Sequence, residues 1–103
     1  MEQVIEMVSF KLIEGTSAQT YIAASEQSQA FVASQPGFLY RSLSHDAASD
    51  SWTDVVYWQD MEAAKKAGEQ FKSHADCQPL MALIEPNSVD MRHQLIKMSS
   101  CNL

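Results

Sequence analysis

A stretch near the middle of the chain, residues 52–71, places one carboxylate among aromatic and β-branched side chains. Because the side chains of a strand alternate between its faces, Trp52, Asp54, Val56 and Trp58 should share one face. A carboxylate in apolar surroundings must be solvated, paired with a cation or raised in pKa. We therefore take Asp54, as a base, and Trp58, as a surface on which a flat ligand stacks, to be candidate catalytic residues.

A cation for this carboxylate is available on the preceding predicted strand. If the hairpin register places Arg41 opposite Val56, Arg41 lies within diagonal reach of Asp54. In one interpretation this pair ties the sheet together, and in the other Arg41 binds an anionic group of a ligand. Trp58 and Tyr57 have a corresponding structural interpretation, as core and dimer-interface residues. The candidate ligand-binding residues are Arg41, Tyr57, Phe71 and His74.

The chain has three histidines, and imidazole is the side chain best suited to proton transfer near neutral pH. His45 precedes a hairpin connection and is expected to be a solvated strand end. His74 follows the second predicted helix, where a cation interacts favourably with the helix C-terminus. His93 shares a predicted strand face with three apolar residues, so burial would require a partner. It is either a hydrogen-bonded structural residue or a third candidate catalytic residue.

No pattern in the sequence indicates a metal or a cofactor. The histidines lack the i, i+4 spacing of helical metal ligands, and there is no HExxH motif or carboxylate cluster. Glycine-rich phosphate-binding loops are also missing from the sequence. Cys77 and Cys101 are too far apart for a CxxC motif, so we expect two reduced thiols.

The composition narrows the classes of partner and location. The 103 residues include 7 basic and 13 acidic side chains, for a formal charge of −6, which disfavours nucleic-acid binding. The N-terminal sequence lacks the features of a signal peptide, and no apolar run approaches the length of a membrane span. We expect a cytoplasmic protein with one domain over residues 1–103, ending in a short polar tail at 99–103.

Hydrophobic periodicity predicts the elements that must position these residues. A capping box formed by Thr16 and Gln19 should start the first helix near Ser17, and Asp60 should cap the second helix. The predicted strands are Val4–Ile13, Phe38–His45, Trp52–Gln59 and Val89–Met98; the helices run from about Ser17 to the Ser34–Gly37 turn and from Asp60 to about Phe71, with further helical turns between Pro79 and Pro86.

The order β-α-β-β-α-β predicts an α+β, ferredoxin-like fold. Such a fold has a four-stranded antiparallel sheet with both helices on one face. The opposite face would be apolar, with Val55, Tyr57 and either Leu95 or Ile96 on it. Because such a face needs a cover, we expect a homodimer formed through the sheet.

Four segments carry a resemblance to a known family. They are FKLIEGT at the end of the first strand, PGFLYRSL, DVVYWQDMEAAKKA at the strand-to-helix junction, and VDMRHQLIKM. Together they resemble the dimeric α/β-barrel proteins that include the antibiotic-biosynthesis-type monooxygenases. The resemblance implies two ferredoxin-like protomers that close a shared barrel, each with a cavity between sheet and helices. Members of that family include cofactor-independent monooxygenases, haem-degrading enzymes, isomerases and proteins without known activity, so the fold does not fix the function.

The resemblance also bears on single residues. Asp54 and Trp58 match the spacing of a polar residue and a tryptophan that line the cavity of the cofactor-independent oxygenases. The usual polar residue is an amide, whereas an acidic Asp54 would repel a phenolate, and the tyrosine expected early in the next helix is missing. The asparagine and tryptophan of the haem-degrading members fall on Val8 and Ala67, and only His74 lies near their histidine position. Haem degradation is therefore not implied.

Two functions follow from these observations. The first is a cofactor-independent monooxygenase, or a related enzyme, that acts on a small apolar or aromatic molecule. Its candidate catalytic residues are Asp54, Trp58 and His93. The alternative is a non-catalytic homodimer that binds a small ligand or serves as an accessory protein, because the set of catalytic residues is incomplete.

Overall fold

The structure, a computed structural model, describes residues 2–101. Its helices and strands follow the predicted βαββαβ order, with one additional short helix, so the predicted α+β fold is confirmed. The elements are β1 (Val4–Phe10), α1 (Ala18–Ser34), β2 (Phe38–Asp46), β3 (Ser51–Trp58), α2 (Met61–Phe71), α3 (Gln78–Ala82) and β4 (Asp90–Leu95), with 3₁₀ turns at Ala75–Cys77 and Pro86–Ser88. The predicted domain also includes Met1, Asn102 and Leu103, which lie outside the described residues.

The four strands form one antiparallel sheet in the order β2-β3-β1-β4. The predicted pairing of β2 with β3 is confirmed, and Arg41 lies opposite Val56 as the hairpin register required. In the centre of the sheet, Glu6 of β1 lies between Val56 of β3 and His93 of β4. The register therefore brings the arginine, the carboxylates and the histidine onto one face.

Strands β1 and β4 end earlier in the chain than the sequence predicted. Strand β1 ends at Phe10 rather than Ile13, and beyond it Leu12 makes only an isolated pairing with Ile84. Strand β4 ends at Leu95 rather than Met98, although the N–H of Ile96 still donates to the carbonyl oxygen of Gln3 at 2.9 Å.

The capping box predicted at the start of α1 is wrong by one residue. The cap is Ser17, whose side chain accepts a hydrogen bond from the backbone N–H of Thr20 at 3.1 Å. Thr16 instead belongs to the preceding turn, where its N–H donates to the carbonyl oxygen of Ile13 and Gly15 has a φ of 87°. The backbone of Thr16 is thus hydrogen-bonded within the turn that precedes the helix.

The junction between β3 and α2 is built as predicted. Asp60 caps α2 by accepting a hydrogen bond from the N–H of Ala63 at 2.8 Å. Gly37, with a φ of 86°, packs against this first turn so closely that a Cβ atom there would lie 2.6 Å from the Cβ of Ala63. Its carbonyl oxygen accepts the N–H of Gln59 at 2.8 Å. The start of α2 is therefore fixed against the sheet, and with it one wall of the space between them.

The core lies between the helices and one face of the sheet. Along β3, every second residue is buried, which confirms the predicted faces of that strand. The buried side chains that fill this layer include Val4, Phe10, Tyr21, Phe31, Val32, Trp52, Val56, Trp58, Ala64, Ala67 and Leu80. Two buried serines, Ser25 and Ser28, interrupt the apolar face of α1. Polar groups at this depth require hydrogen-bond partners, and Arg41 provides them.

Candidate functional site

A cavity of about 360 Å³ lies between the sheet and the helices. Its wall is mostly apolar and includes Val8, Val56 and Trp58 from the sheet and Phe31, Phe71 and Leu80 from the helices. Three charged side chains of the sheet, Glu6, Arg41 and Asp54, also reach it. This size, and the combination of an apolar wall with a few polar groups, are typical of small-molecule sites.

Arg41 is almost completely buried, with a side chain 6% exposed, and it holds the sheet to α1. Towards the sheet, its Nε donates to Asp54 Oδ1 at 3.1 Å and its Nη2 to Asp54 Oδ2 at 2.8 Å. Towards α1, Nη1 donates to Ser28 at 2.9 Å and Gln29 at 3.2 Å, and Nη2 donates to Ser25 at 3.3 Å. Every N–H of the guanidinium is thus used within the protein. The geometry favours the interpretation that the pair is structural and leaves Arg41 no donor for a ligand anion.

The charges of this pair compensate each other. Burial alone would lower the pKa of Arg41, but the hydrogen bonds and the negative charge of Asp54 outweigh it and raise that pKa. Both oxygens of Asp54 accept hydrogen bonds from the guanidinium. The repulsion that an acidic Asp54 would exert on a phenolate is therefore offset by Arg41 at the same wall.

A second carboxylate, which the sequence analysis missed, has a different environment. Glu6 is 12% exposed, and its Oε1 accepts a hydrogen bond from Trp58 Nε1 at 3.0 Å. Its Oε2 is not fully enclosed and has no hydrogen-bond partner within residues 2–101. Burial, the largest influence, raises the pKa of Glu6, although the charge of His93 and the bond from Trp58 act in the opposite direction. Glu6 therefore presents a carboxyl oxygen of increased basicity to an apolar cavity.

His93 lies beside this carboxylate on the edge strand β4. Its Nε2 is 3.7 Å from Glu6 Oε1, which is an ion-pair distance but too long for a hydrogen bond. That nitrogen is buried and has no hydrogen-bond partner within the described part of the chain. The side chain as a whole remains 24% exposed. His93 therefore does not line the cavity but faces Glu6 at ion-pair distance, and the hydrogen-bond partner expected for a buried imidazole nitrogen is not found within residues 2–101.

The structure brings some of the predicted site residues together and separates others. Arg41, Asp54, Trp58 and Phe71 all contact the cavity. Tyr57 lies on the opposite face of the sheet, where its ring packs 6.0 Å from that of Tyr40. His74 Nδ1 accepts the N–H of Asp76 at 3.1 Å, and its ring lies 4.3 Å from Phe31, outside the cavity wall. His45 packs on Trp52 at the hairpin and approaches Asp50 at 2.9 Å.

Two further buried groups are Tyr21, which lines the cavity, and Cys77, which does not. The hydroxyl of Tyr21 has no hydrogen-bond partner among residues 2–101, and burial raises its pKa, so it remains a neutral phenol. Burial also raises the pKa of Cys77 to about 11, which keeps this residue a thiol rather than a reactive thiolate. Neither Cys77 nor the exposed Cys101 forms a disulfide.

Between residues 2 and 101, no three potential ligands among histidine, cysteine, aspartate and glutamate come close enough to hold a metal ion. None of the helices in this part of the chain is both long and apolar enough to cross a membrane.

Comparison with known proteins gives similarity in structure only. No protein-family profile and no curated protein sequence matches the chain. Among solved structures, SnoaB from Streptomyces nogalater, a cofactor-independent oxygenase, is similar at a TM-score of 0.71 and 22% identity, covering 98% of this chain and 97% of that one. A "putative antibiotic biosynthesis monooxygenase" from Bordetella bronchiseptica has a TM-score of 0.71 and 16% identity, covering 95% and 100%.

A second protein with that description, from Chloroflexus aurantiacus, has a TM-score of 0.69 and 16% identity, with 96% of this chain and 97% of the other covered. In each case the similarity extends over nearly the full length of both chains. At these identities it establishes the architecture and not the activity. The chain therefore has the ferredoxin-like α+β fold of the antibiotic-biosynthesis-monooxygenase-like proteins, and the predicted resemblance is confirmed at the level of the fold.

Proposed function

We propose that this protein binds a small, flat aromatic molecule in the cavity and oxygenates it without a cofactor. The observation that carries the proposal is the open carboxyl oxygen of Glu6 in an apolar cavity next to the ring of Trp58. Burial makes that carboxylate a stronger base than an exposed glutamate. The structural similarity to a cofactor-independent oxygenase supports the choice of reaction.

The reaction needs a substrate whose own anion can reduce oxygen. An anthrone, a tricyclic ketone with an acidic ring CH₂ group, has this property. Glu6 Oε2 accepts one proton from the CH₂ group, and the resulting anion transfers electrons to O₂ and forms a C–O bond with it. Glu6 returns its proton to the peroxide anion, and the resulting hydroperoxide loses water by breaking its O–O bond and the remaining ring C–H bond. One oxygen atom becomes the new ring carbonyl, and the other leaves as water with the two hydrogens, so anthrone and O₂ give anthraquinone and water.

Each residue has a defined part in this scheme. Trp58 stacks on the substrate, and its indole N–H holds Glu6 in place. Asp54 and Arg41 hold the cavity wall through their buried ion pair and carry no proton in the reaction. His93, beside Glu6, stabilises the carboxylate form once the proton has left. Asp54 and His93 therefore act as positioning residues rather than as the base that the sequence suggested for Asp54.

The proposal is tested with anthrone in air-saturated buffer. We expect oxygen uptake above the protein-free rate, with one anthraquinone formed per O₂ consumed, which absorption spectroscopy and an oxygen electrode measure together. The incomplete match to the family's catalytic residues favours a second candidate, a ligand-binding protein without activity. Calorimetric binding of 2-naphthol without any anthrone-dependent oxygen uptake would establish that alternative and contradict the oxygenase.

The homodimer is part of the same proposal. The sheet face opposite the helices carries Ile5, Met7, Tyr40, Val55 and Tyr57, and Tyr40 is 49% exposed. Ile96, rather than Leu95, extends this face, because Leu95 pairs with Val4 and shares its side of the sheet. A second copy would cover the face. The expected cytoplasmic location stays a prediction.

Sizing of the protein by light scattering tests the interface. The expected mass is twice the 11.5 kDa of one chain. Tyr57→Glu, which places a charge in the centre of the apolar face, should shift the protein to the monomer. A matched change on an exposed helix surface, Glu69→Lys, should leave the dimer intact. A monomeric wild-type protein at micromolar concentration would contradict the proposed interface.

A further inference from the structure

Gly68 lies in the interior of α2 without a conformational reason for being glycine. The helix runs from Met61 to Phe71, and Gly68 does not have the positive φ that sets Gly15 and Gly37 apart. Glycine in a helix interior is unfavourable relative to alanine because it loses more backbone freedom on folding. Local helix stability would therefore favour a side chain at this position.

Close packing does not explain the glycine either. A Cβ atom built at Gly68 meets no heavy atom within 4 Å, whereas one at Gly37 would clash with Ala63. The neighbouring small residues of α2 are different, since Ala64 and Ala67 are 1% and 5% exposed and pack in the core. The position that a Gly68 side chain would occupy is thus empty, whereas the side chains of Ala64 and Ala67 pack against the core.

That empty space belongs to the cavity. Gly68 is part of the cavity wall together with Ala67, Phe71 and Lys72 from the same helix or its end. Trp58 and Glu6 form part of the wall on the sheet side. A methyl group at Gly68 would therefore lie at the cavity wall without meeting another residue, and we infer that a longer side chain would reduce the cavity volume.

We propose that Gly68 sets the upper size limit of the ligand, because a side chain at this position would narrow the cavity for a fused-ring molecule while leaving room for a single ring. This inference rests on the proposed function, because it assigns the ligand to the same cavity. Glycine lowers the stability of the helix at this position, and the space left by its missing side chain is useful only to a ligand in the cavity.

Binding of a graded series of phenols to variants of this position tests the inference. The probes are phenol, 2-naphthol and 1-hydroxypyrene, measured by isothermal titration calorimetry. Gly68→Ala should weaken the binding of 1-hydroxypyrene by about tenfold or more and the binding of phenol hardly at all. One extra methylene in a pocket changes the relative affinity for two ligands by roughly that factor. Gly68→Leu should abolish binding of both fused-ring probes. The same alanine variant should melt roughly 4 °C higher than the wild type.

Glu69→Leu serves as the matched control, because it adds the same side chain at an exposed position on the next residue of α2. It should leave all three affinities unchanged. If the wild type binds the fused-ring probes and Gly68→Ala binds them equally well, the size limit is not set by Gly68, although the proposed function stands. If the wild type binds none of the probes, both the proposed function and this inference are overturned.

Discussion

Replacing Arg41 with alanine should lower the free energy of unfolding by about 3–5 kcal/mol, the range expected when one member of a buried ion pair is removed. The substitution leaves the buried carboxylate of Asp54 without its cation. It also removes the donors that Ser25, Ser28 and Gln29 use to attach α1 to the sheet. Urea denaturation followed by circular dichroism measures the loss.

A control variant and a double variant separate the cost of an unpaired buried charge from the cost of losing an ordinary surface ion pair. Lys66→Ala removes an exposed lysine 3.5 Å from Glu62 on α2 and should cost no more than about 1 kcal/mol. Replacing Arg41 and Asp54 together by methionine and leucine should cost less than Arg41→Ala, because no uncompensated charge then remains in the core. A loss for Arg41→Ala as small as that for Lys66→Ala would show that the pair does not hold the sheet to α1.

Glu6→Gln should reduce the turnover of anthrone by about 10²- to 10⁴-fold, the usual contribution of a general base. The amide has nearly the same shape as the carboxyl group and can still accept the hydrogen bond from Trp58. The fold and the binding of 2-naphthol should therefore persist. Steady-state oxygen uptake and calorimetry on the same preparation measure both properties. A variant that retains full activity would remove Glu6 from the mechanism.

The same variant should change how stability depends on pH. Burial raises the pKa of Glu6 above its ordinary value of 4.5. Its protonated form is therefore favoured by the folded state, so its stabilising effect is fully present below pH 4.5 and is lost as pH rises through the folded pKa. At pH 7, Glu6→Gln should be more stable than the wild type, because the amide carries no charge to desolvate. Urea denaturation between pH 4 and pH 8 tests this, and an equal pH dependence in both proteins would contradict it.

The Arg41–Asp54 pair could be predicted from the sequence because both of its determinants are local. Alternation along β3 fixes the face of Asp54, and a short hairpin fixes the register of Arg41 against Val56. The partners on α1 are a different case. Ser25 and Ser28 are small polar residues in a helix with a weak apolar stripe, and only the packing of α1 on the sheet brings them to the guanidinium.

Glu6 was missed for a related reason. Strand β1 is central and carries apolar residues on both faces, so its sequence, VIEMVSF, alternates too weakly to show which side chains face the helices. The pairing of Glu6 with Val56 and His93 depends on two different strands that are distant in the chain. A glutamate in the middle of an apolar strand was the available signal. It was present in the sequence but could not be assigned to a face.

The cavity itself is a property of packing that hydrophobic periodicity does not encode. Phe71 and Trp58 were expected to lie near a ligand, but Tyr57 and His74 were grouped with them although the folded chain places both outside the cavity. The empty volume depends on how far α2 stands from the sheet and on the missing side chain at Gly68. Neither the distance between α2 and the sheet nor the space at Gly68 can be derived from the hydrophobic periodicity of the sequence.

The most direct test of the proposed site is a crystal structure of the protein grown with 2-naphthol. The ligand should lie between the ring of Trp58 and the face of α2 that contains Gly68, with its hydroxyl within hydrogen-bond distance of Glu6 Oε2. Naphthol bound only on the outer face of the sheet, or an empty cavity at saturating ligand, would contradict the assignment of this cavity as the functional site.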